Sequence, residues 1–237
     1  MNAFEELFTN LNGGHVLDVA TGEGGYISIL QRYLGSFNSI TGVDTSRKVL
    51  NTTKRTFDSP VIQFTQMNAE YLGFDSSSFD TVNISASLHH LENVTRVLAE
   101  MKRALKPGGK LILTEMHRDG TTEAQFNAIR IHHWAAAVDS SLGILHDRTF
   151  ARQEILDFIN ELNLGNMITR DFPNTDSDPL NEKAIAGVSG YLDRYHQRIA
   201  NKPGSEVLIQ QEGELRDALA AKGFQQEPVL IIIAEKL

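Results

Sequence analysis

The segment Val16-Leu17-Asp18-Val19-Ala20-Thr21-Gly22-Glu23-Gly24-Gly25 carries the first chemistry legible in this chain. An apolar run feeds a turn of small residues and then a helical pattern. Glycines such as Gly22 and Gly24 lack a Cβ and let backbone approach a ligand closely. The start of the following helix offers N–H groups without intrahelical partners. Such a loop suits a nucleotide-like ligand, or serves as a tight strand–helix turn with none. It is not the dinucleotide fingerprint, because Ala20 stands where the first glycine of G-x-G-x-x-G belongs. Asp18 would be awkward beside a pyrophosphate, and it suits the cationic amino group of a ligand that carries an amino acid. Asp44 ends the next apolar run, Ile40-Thr41-Gly42-Val43-Asp44, where a carboxylate can accept from both hydroxyls of a ribose. The plainer reading of Asp44 is a helix cap shared with Thr45 and Ser46.

A second group is rich in histidine. His89 and His90 follow another apolar run, and either could serve as a general base; the alternative is that one packs inside and the other is exposed. His117, His132, His133 and His146 lie further on and could line a substrate pocket. Their number invites a metal. His132 and His133, however, are adjacent on a helix and point to different faces, so no i, i+4 ligand pair forms, and no metal site is expected. Phe126, Trp134, Phe150, Tyr191 and Tyr195 read as helix packing, with an apolar or aromatic acceptor pocket as the alternative.

The elements that must position these residues alternate. Strands are expected at 15–19, 39–43, 61–67, 79–85 and 110–115, with helices at 26–34, 47–57 and 93–105, the last ended by Pro107-Gly108-Gly109. That alternation predicts a doubly wound, mostly parallel sheet of the Rossmann-like α/β class, with ligands beyond the carboxyl ends of the strands. Helices follow at 121–138 and 149–162, the latter with Thr149 as N-cap, then a sixth strand at 166–172. Two further helices, 181–200 and 205–221, precede a last strand after Pro228. Residues 117–203 break the alternation and read as a helical insertion, either a lid or an oligomer contact, on a single domain spanning 1–237.

The order VLDVATGEGG, ITGVD, MNAE, SFDTVNISASLHHLEN and ALKPGGKLILTE, over roughly residues 16–115, resembles the class I S-adenosylmethionine (SAM)-dependent methyltransferases. The likeness is to the branch of quinone-biosynthesis and other small-molecule enzymes; residues 146–158 resemble that branch's lid helix. The resemblance implies a seven-stranded sheet and methyl transfer from SAM to a small-molecule acceptor. It also implies cofactor contacts from Asp18, Ala20, Gly22, Gly24, Asp44, Thr45, Asn68, Ala69 and Ser85. Asn68 stands where the family usually has Asp, and its amide oxygen can still accept from the adenine amine. The competing readings are a SAM-binding protein without catalysis and an NAD-dependent oxidoreductase.

Composition narrows the class. The 237 residues are 41% hydrophobic and 22% charged, with a formal net charge of −8. An acidic surface disfavours nucleic acid as a partner. The absence of cysteine excludes disulfides, thiolate metal sites and a catalytic thiol, and fits a cytoplasmic protein. No apolar run approaches the length of a membrane span, and MNAFEELFTN reads as a short edge helix rather than a leader. A homodimer remains open.

Overall fold

The computed structural model describes residues 3–237. Seven strands form one sheet: β1 (His15–Val19), β2 (Ser39–Asp44), β3 (Ile62–Gln66), β4 (Phe79–Ser85), β5 (Leu105–Met116), β6 (Gly165–Phe172) and β7 (Val229–Glu235), in the order β3-β2-β1-β4-β5-β7-β6. The first five pair in parallel, and β7 runs antiparallel to both β5 and β6. The expected Rossmann-like class is therefore the observed one.

Side-chain alternation along each strand divides the sheet's burial into two faces. Val16, Ile40, Ile112, Ile231 and Ile233 pack with α2 (Gly25–Tyr33) and α3 (Arg47–Thr56). Leu17, Val82, Ile84, Leu111, Leu113 and Ile232 face α4 (Val94–Ala104) and α6 (Arg152–Glu161) on the other side. The short α1 (Ala3–Phe8) lies with α2, as expected of an edge helix, through Phe8. Capping sets several helix starts: Ser46 Oγ accepts from the Val49 N–H, and Asn93 Oδ1 from the Arg96 N–H.

Three expectations need revision. The Pro107-Gly108-Gly109 segment is not a turn before a strand: β5 begins at Leu105, and the register jumps from Phe79↔Leu105 to Thr81↔Lys110, so the segment is a bulge within the strand. Thr149 does not cap α6. It is buried against His133, while Glu154 accepts from the Ala151 N–H at the helix start. Residues 117–203 are not one insertion either, because α6 and β6 belong to the sheet and its covering layer. The helical cap is instead assembled from α5 (Glu123–Ser141), α7 (Glu182–Ile199) and α8 (Glu206–Lys222) around Trp134, Val138, Leu192 and Leu219. Its halves leave the sheet at two places, after β5 and after β6. Among the described residues no helix is long and apolar enough to cross a membrane.

Candidate active site

A cavity of about 580 Å³ opens at the carboxyl ends of β1–β4, lined by Ala20, Gly22, Asp44, Thr45, Asn68, Ala69 and His90, among others. Six residues expected to hold the cofactor thus converge on one space. The backbone there is unusual. Ala20 and Ala86, at the ends of the adjacent strands β1 and β4, both sit at positive φ, 54° and 44°. Left-handed backbone is unfavourable for a residue with a Cβ and tends to gather at ligand sites. Gly22 is also left-handed, and a Cβ added there would meet nothing within 4 Å, so this part of the loop faces open space.

Asp44 ties the floor together. Its two carboxylate oxygens accept from the Gly22 and Ser46 N–H groups at 3.0 and 2.8 Å. Ser46 caps the next helix, which leaves the remaining lone pairs of Asp44 for a ligand's hydroxyls. Asn68 is less free than its type suggested, since its side-chain oxygen already accepts from the Glu70 N–H at 2.9 Å. One lone pair of that oxygen and the amide NH₂ remain to meet the edge of a base.

Three other expected cofactor residues act at one remove. Asp18 is buried beneath the loop, where it accepts from Thr21 Oγ1 at 2.6 Å and Asn83 Nδ2 at 2.5 Å. It holds the loop to β4 rather than reaching a ligand's amino group. Burial raises its pKa to about 6, against the lowering effect of those two hydrogen bonds. Gly24 is required by packing, because a Cβ there would strike the Phe57 ring. Ser85 stops short of the cavity, and its carbonyl accepts from Ser87 Oγ at 2.6 Å; Ala86 and Ser87 line the wall instead.

The two candidate bases separate in the 3-10 turn at Leu88–His90. His90 lines the cavity, and its pKa is lowered to about 4, by enclosure first and then by His89 and His146. His89 is 2% exposed and lies behind it, so it is not placed to touch a bound donor. Its Nδ1 is 3.2 Å from Glu115 Oε1, yet the two are not aligned as a hydrogen bond, and both atoms lack a partner. Glu115, whose place in a strand pattern gives no sign of a site role, also accepts from the Ser87 and Leu88 N–H groups at 2.9 Å and so fixes the turn.

The cap reaches this wall. Leu145 lines the cavity, and the Asp147 N–H donates to the His89 carbonyl at 2.7 Å. A second cavity of about 550 Å³ lies between α5 and α7, lined by Ile131, His132, Gly187, Val188, Tyr191 and Glu227, among others. Of the remaining candidates, His133 bonds Thr149 at 2.9 Å and His117 packs near Asp119. Trp134 donates to the Leu208 carbonyl at 2.8 Å, Phe150 packs edge-on against Phe158, and Tyr195 donates to Asp139 at 3.1 Å. Phe126 is largely exposed.

A glycine-rich loop, an acid at the next strand tip and a cavity across the switch in strand order are the features of a Rossmann-like fold with its cavity at the usual ligand position. Comparison with known proteins is narrower: residues 17–113 match the family described as "Methyltransferase domain". The chain is 26% identical over 144 residues, 59% of its length, to a 2-phytyl-1,4-naphtoquinone methyltransferase of Nostoc punctiforme. It is 38% identical over 106 residues, 45% of its length, to a phthiotriol/phenolphthiotriol dimycocerosates methyltransferase of Mycobacterium ulcerans. The matches span 63% and 39% of those relatives' own lengths, less than two thirds of either. A solved SAM-dependent methyltransferase from Mesorhizobium loti shares the fold at a TM-score of 0.59 and 16% identity, covering 99% of this chain and 96% of that one. Residues 17–113 thus match a methyltransferase domain, and the chain shares its fold with solved methyltransferases.

Proposed function

We propose that this protein transfers a methyl group from SAM to a small-molecule acceptor. The observation that carries the reading is the cavity at the ends of β1–β3, where Gly22 exposes backbone, Asp44 presents a carboxylate tied to that backbone, and Asn68-Ala69 offers an amide edge. That set suits an adenosine with a ribose between base and sulfonium.

The reaction asks little of the chain beyond alignment. A lone pair of the acceptor forms the new bond to carbon as the carbon–sulfur bond breaks, leaving a neutral thioether, and the acceptor's proton passes to a base or to water. Holding acceptor and methyl in line supplies most of the rate. His90 is the side chain best placed for the proton, but its depressed pKa makes it a weak base at neutral pH. An acceptor that is already acidic, such as a phenolic or quinol-like ring, fits that limit. The cavity between α5 and α7, walled by Ile131, Val188 and Tyr191, is apolar enough to take such a ring. The similarity to the 2-phytyl-1,4-naphtoquinone methyltransferase of Nostoc makes naphthoquinol-type rings the first acceptors to assay.

Calorimetry tests the donor. SAM and its demethylated product should bind at one site per chain while NAD gives no signal. Binding of NAD with silence toward SAM would favour an oxidoreductase, and binding of SAM with no turnover across an acceptor panel would favour a non-catalytic SAM-binding protein.

A further inference from the structure

We propose that His89, His132 and His146 form a binding site for one divalent transition-metal cation of the zinc class. His132 and His133, neighbours on one helix, point to different faces and cannot share a metal. The fold instead gathers one imidazole from the turn after β4, one from α5 and one from the loop that follows α5. One ring nitrogen from each lies within 4.8 Å of those of the other two.

Geometry supports the assignment. His132 Nε2 and His146 Nε2 are 3.1 Å apart. Tetrahedral zinc with Zn–N bonds of ~2.0–2.1 Å places its ligands about 3.3 Å from one another, so this pair already stands at ligand spacing. The third ring must close by at most roughly 1.5 Å to reach the same spacing.

The other nitrogen of each ring faces a carboxylate. His146 Nδ1 is 2.7 Å from Asp139, His89 Nδ1 is 3.2 Å from Glu115, and His132 Nδ1 is 3.6 Å from Glu227. A proton held on Nδ1 by a carboxylate leaves Nε2 with its lone pair directed away, the arrangement that orients metal-bound histidines. Asp139 is itself fixed by Tyr195 and Arg198.

Burial and charge point the same way. His89 and His146 are 2% and 5% exposed, and His89 Nδ1 and Glu115 Oε1 remain unpartnered. Buried polar atoms without partners are costly. A cation on the far nitrogen of His89 would polarise its Nδ1–H toward Glu115 and offset that cost. Among the described residues, neither Glu115 nor Glu227 forms an ion pair with a lysine or arginine.

Three protein ligands leave a fourth position for water or an acceptor oxygen. The site stands behind His90, whose ring is 4.2 Å from that of His146 and 4.3 Å from that of His89, while His132 also lines the α5–α7 cavity. The ion would therefore lie on the acceptor side of the donor cavity.

The test uses full-length, tag-free protein stripped with chelator. Zn²⁺ titrated by calorimetry should bind at one equivalent, and Co²⁺ in its place should give the intense visible bands of a tetrahedral site. His132→Gln and His146→Gln should each weaken binding at least 100-fold, and Glu227→Gln should weaken it about 10–100-fold. His133→Gln, on the same helix outside the cluster, should bind as wild type. Folded wild-type protein that takes up no Zn²⁺, or binding indifferent to both histidine variants, would overturn the proposal. If either variant fails to fold, the Co²⁺ spectrum of the wild type decides. SAM binding by the stripped protein is read separately, so a failed metal site leaves methyl transfer standing.

Discussion

Polar groups around the donor cavity are held by partners close in the chain or one strand away. Asp18 meets Thr21, Asp44 meets Ser46, and Asn68 meets Glu70. In the helical cap the same kinds of group find partners far along the chain: Asn127 reaches Ala218, Trp134 reaches Leu208, and Asp139 reaches Tyr195. The first region is built from strand–turn–helix units, each of which positions its own carboxylate or amide. The second exists only once three helices from two separate excursions have packed. The floor of the donor cavity is thus a local property of the chain, and the helical cap is a tertiary one.

Acid should separate the two regions most strongly. Asp18 has a folded pKa near 6 against 3.8, so its contribution favours the folded state below pH 3.8 and is lost as pH rises through 6. That loss amounts to about 3 kcal/mol at 1.36 kcal/mol per pKa unit. His133 in the cap has the opposite sign. Burial lowers its folded pKa to about 4, so its contribution is present above pH 6.5 and lost as pH falls through 4. Hydrogen exchange at pH 7 and pH 5 should show amides of α5 and α8 losing protection on acidification while those of β1 and β4 do not, and Asp18→Asn should flatten the response of the sheet. A uniform loss across both regions would erase the distinction.

Substitution at the donor floor comes next in size. Asp44→Ala should weaken SAM binding by roughly 1.5–3 kcal/mol, the scale of lost hydrogen bonds to a charged group, with little change in the acceptor KM. Unchanged SAM affinity would mean that the ribose lies elsewhere. The smallest effect is expected in the cap. A Cβ at Gly187 meets nothing within 4 Å, so the side chain of Gly187→Leu starts into the open α5–α7 cavity that Gly187 lines. It should raise the acceptor KM about tenfold, on the order of 1.4 kcal/mol, and leave SAM affinity alone. An effect on SAM instead would place the acceptor elsewhere.

The same contrast explains what could be read in advance. β1, β2 and β4 and the residues Ala20, Gly22, Asp44, Thr45, Asn68 and Ala69 were legible because an apolar run ending in a small or acidic residue fixes both the strand and its tip. Asp18 and Gly24, expected at the ligand face, face Asn83 of β4 and the Phe57 ring, since sequence cannot tell a loop's underside from its ligand face. The strained alanines left no trace, because nothing in an alanine announces positive φ. Six of the eight histidines fall between 89 and 146, and that clustering was the available signal for the site behind His90. No single helix contains the cluster, because the rings of His89, His132 and His146 meet only through tertiary packing.

Leu145 and His146 are consecutive, yet the first lines the donor cavity and the second belongs to the histidine cluster. One peptide step therefore separates the surfaces that the two substrates would touch. A donor pressing on Leu145 would restrain the backbone that carries His146 before any acceptor arrives. Leu145 is thus the point at which filling the donor cavity would be felt by the histidine cluster.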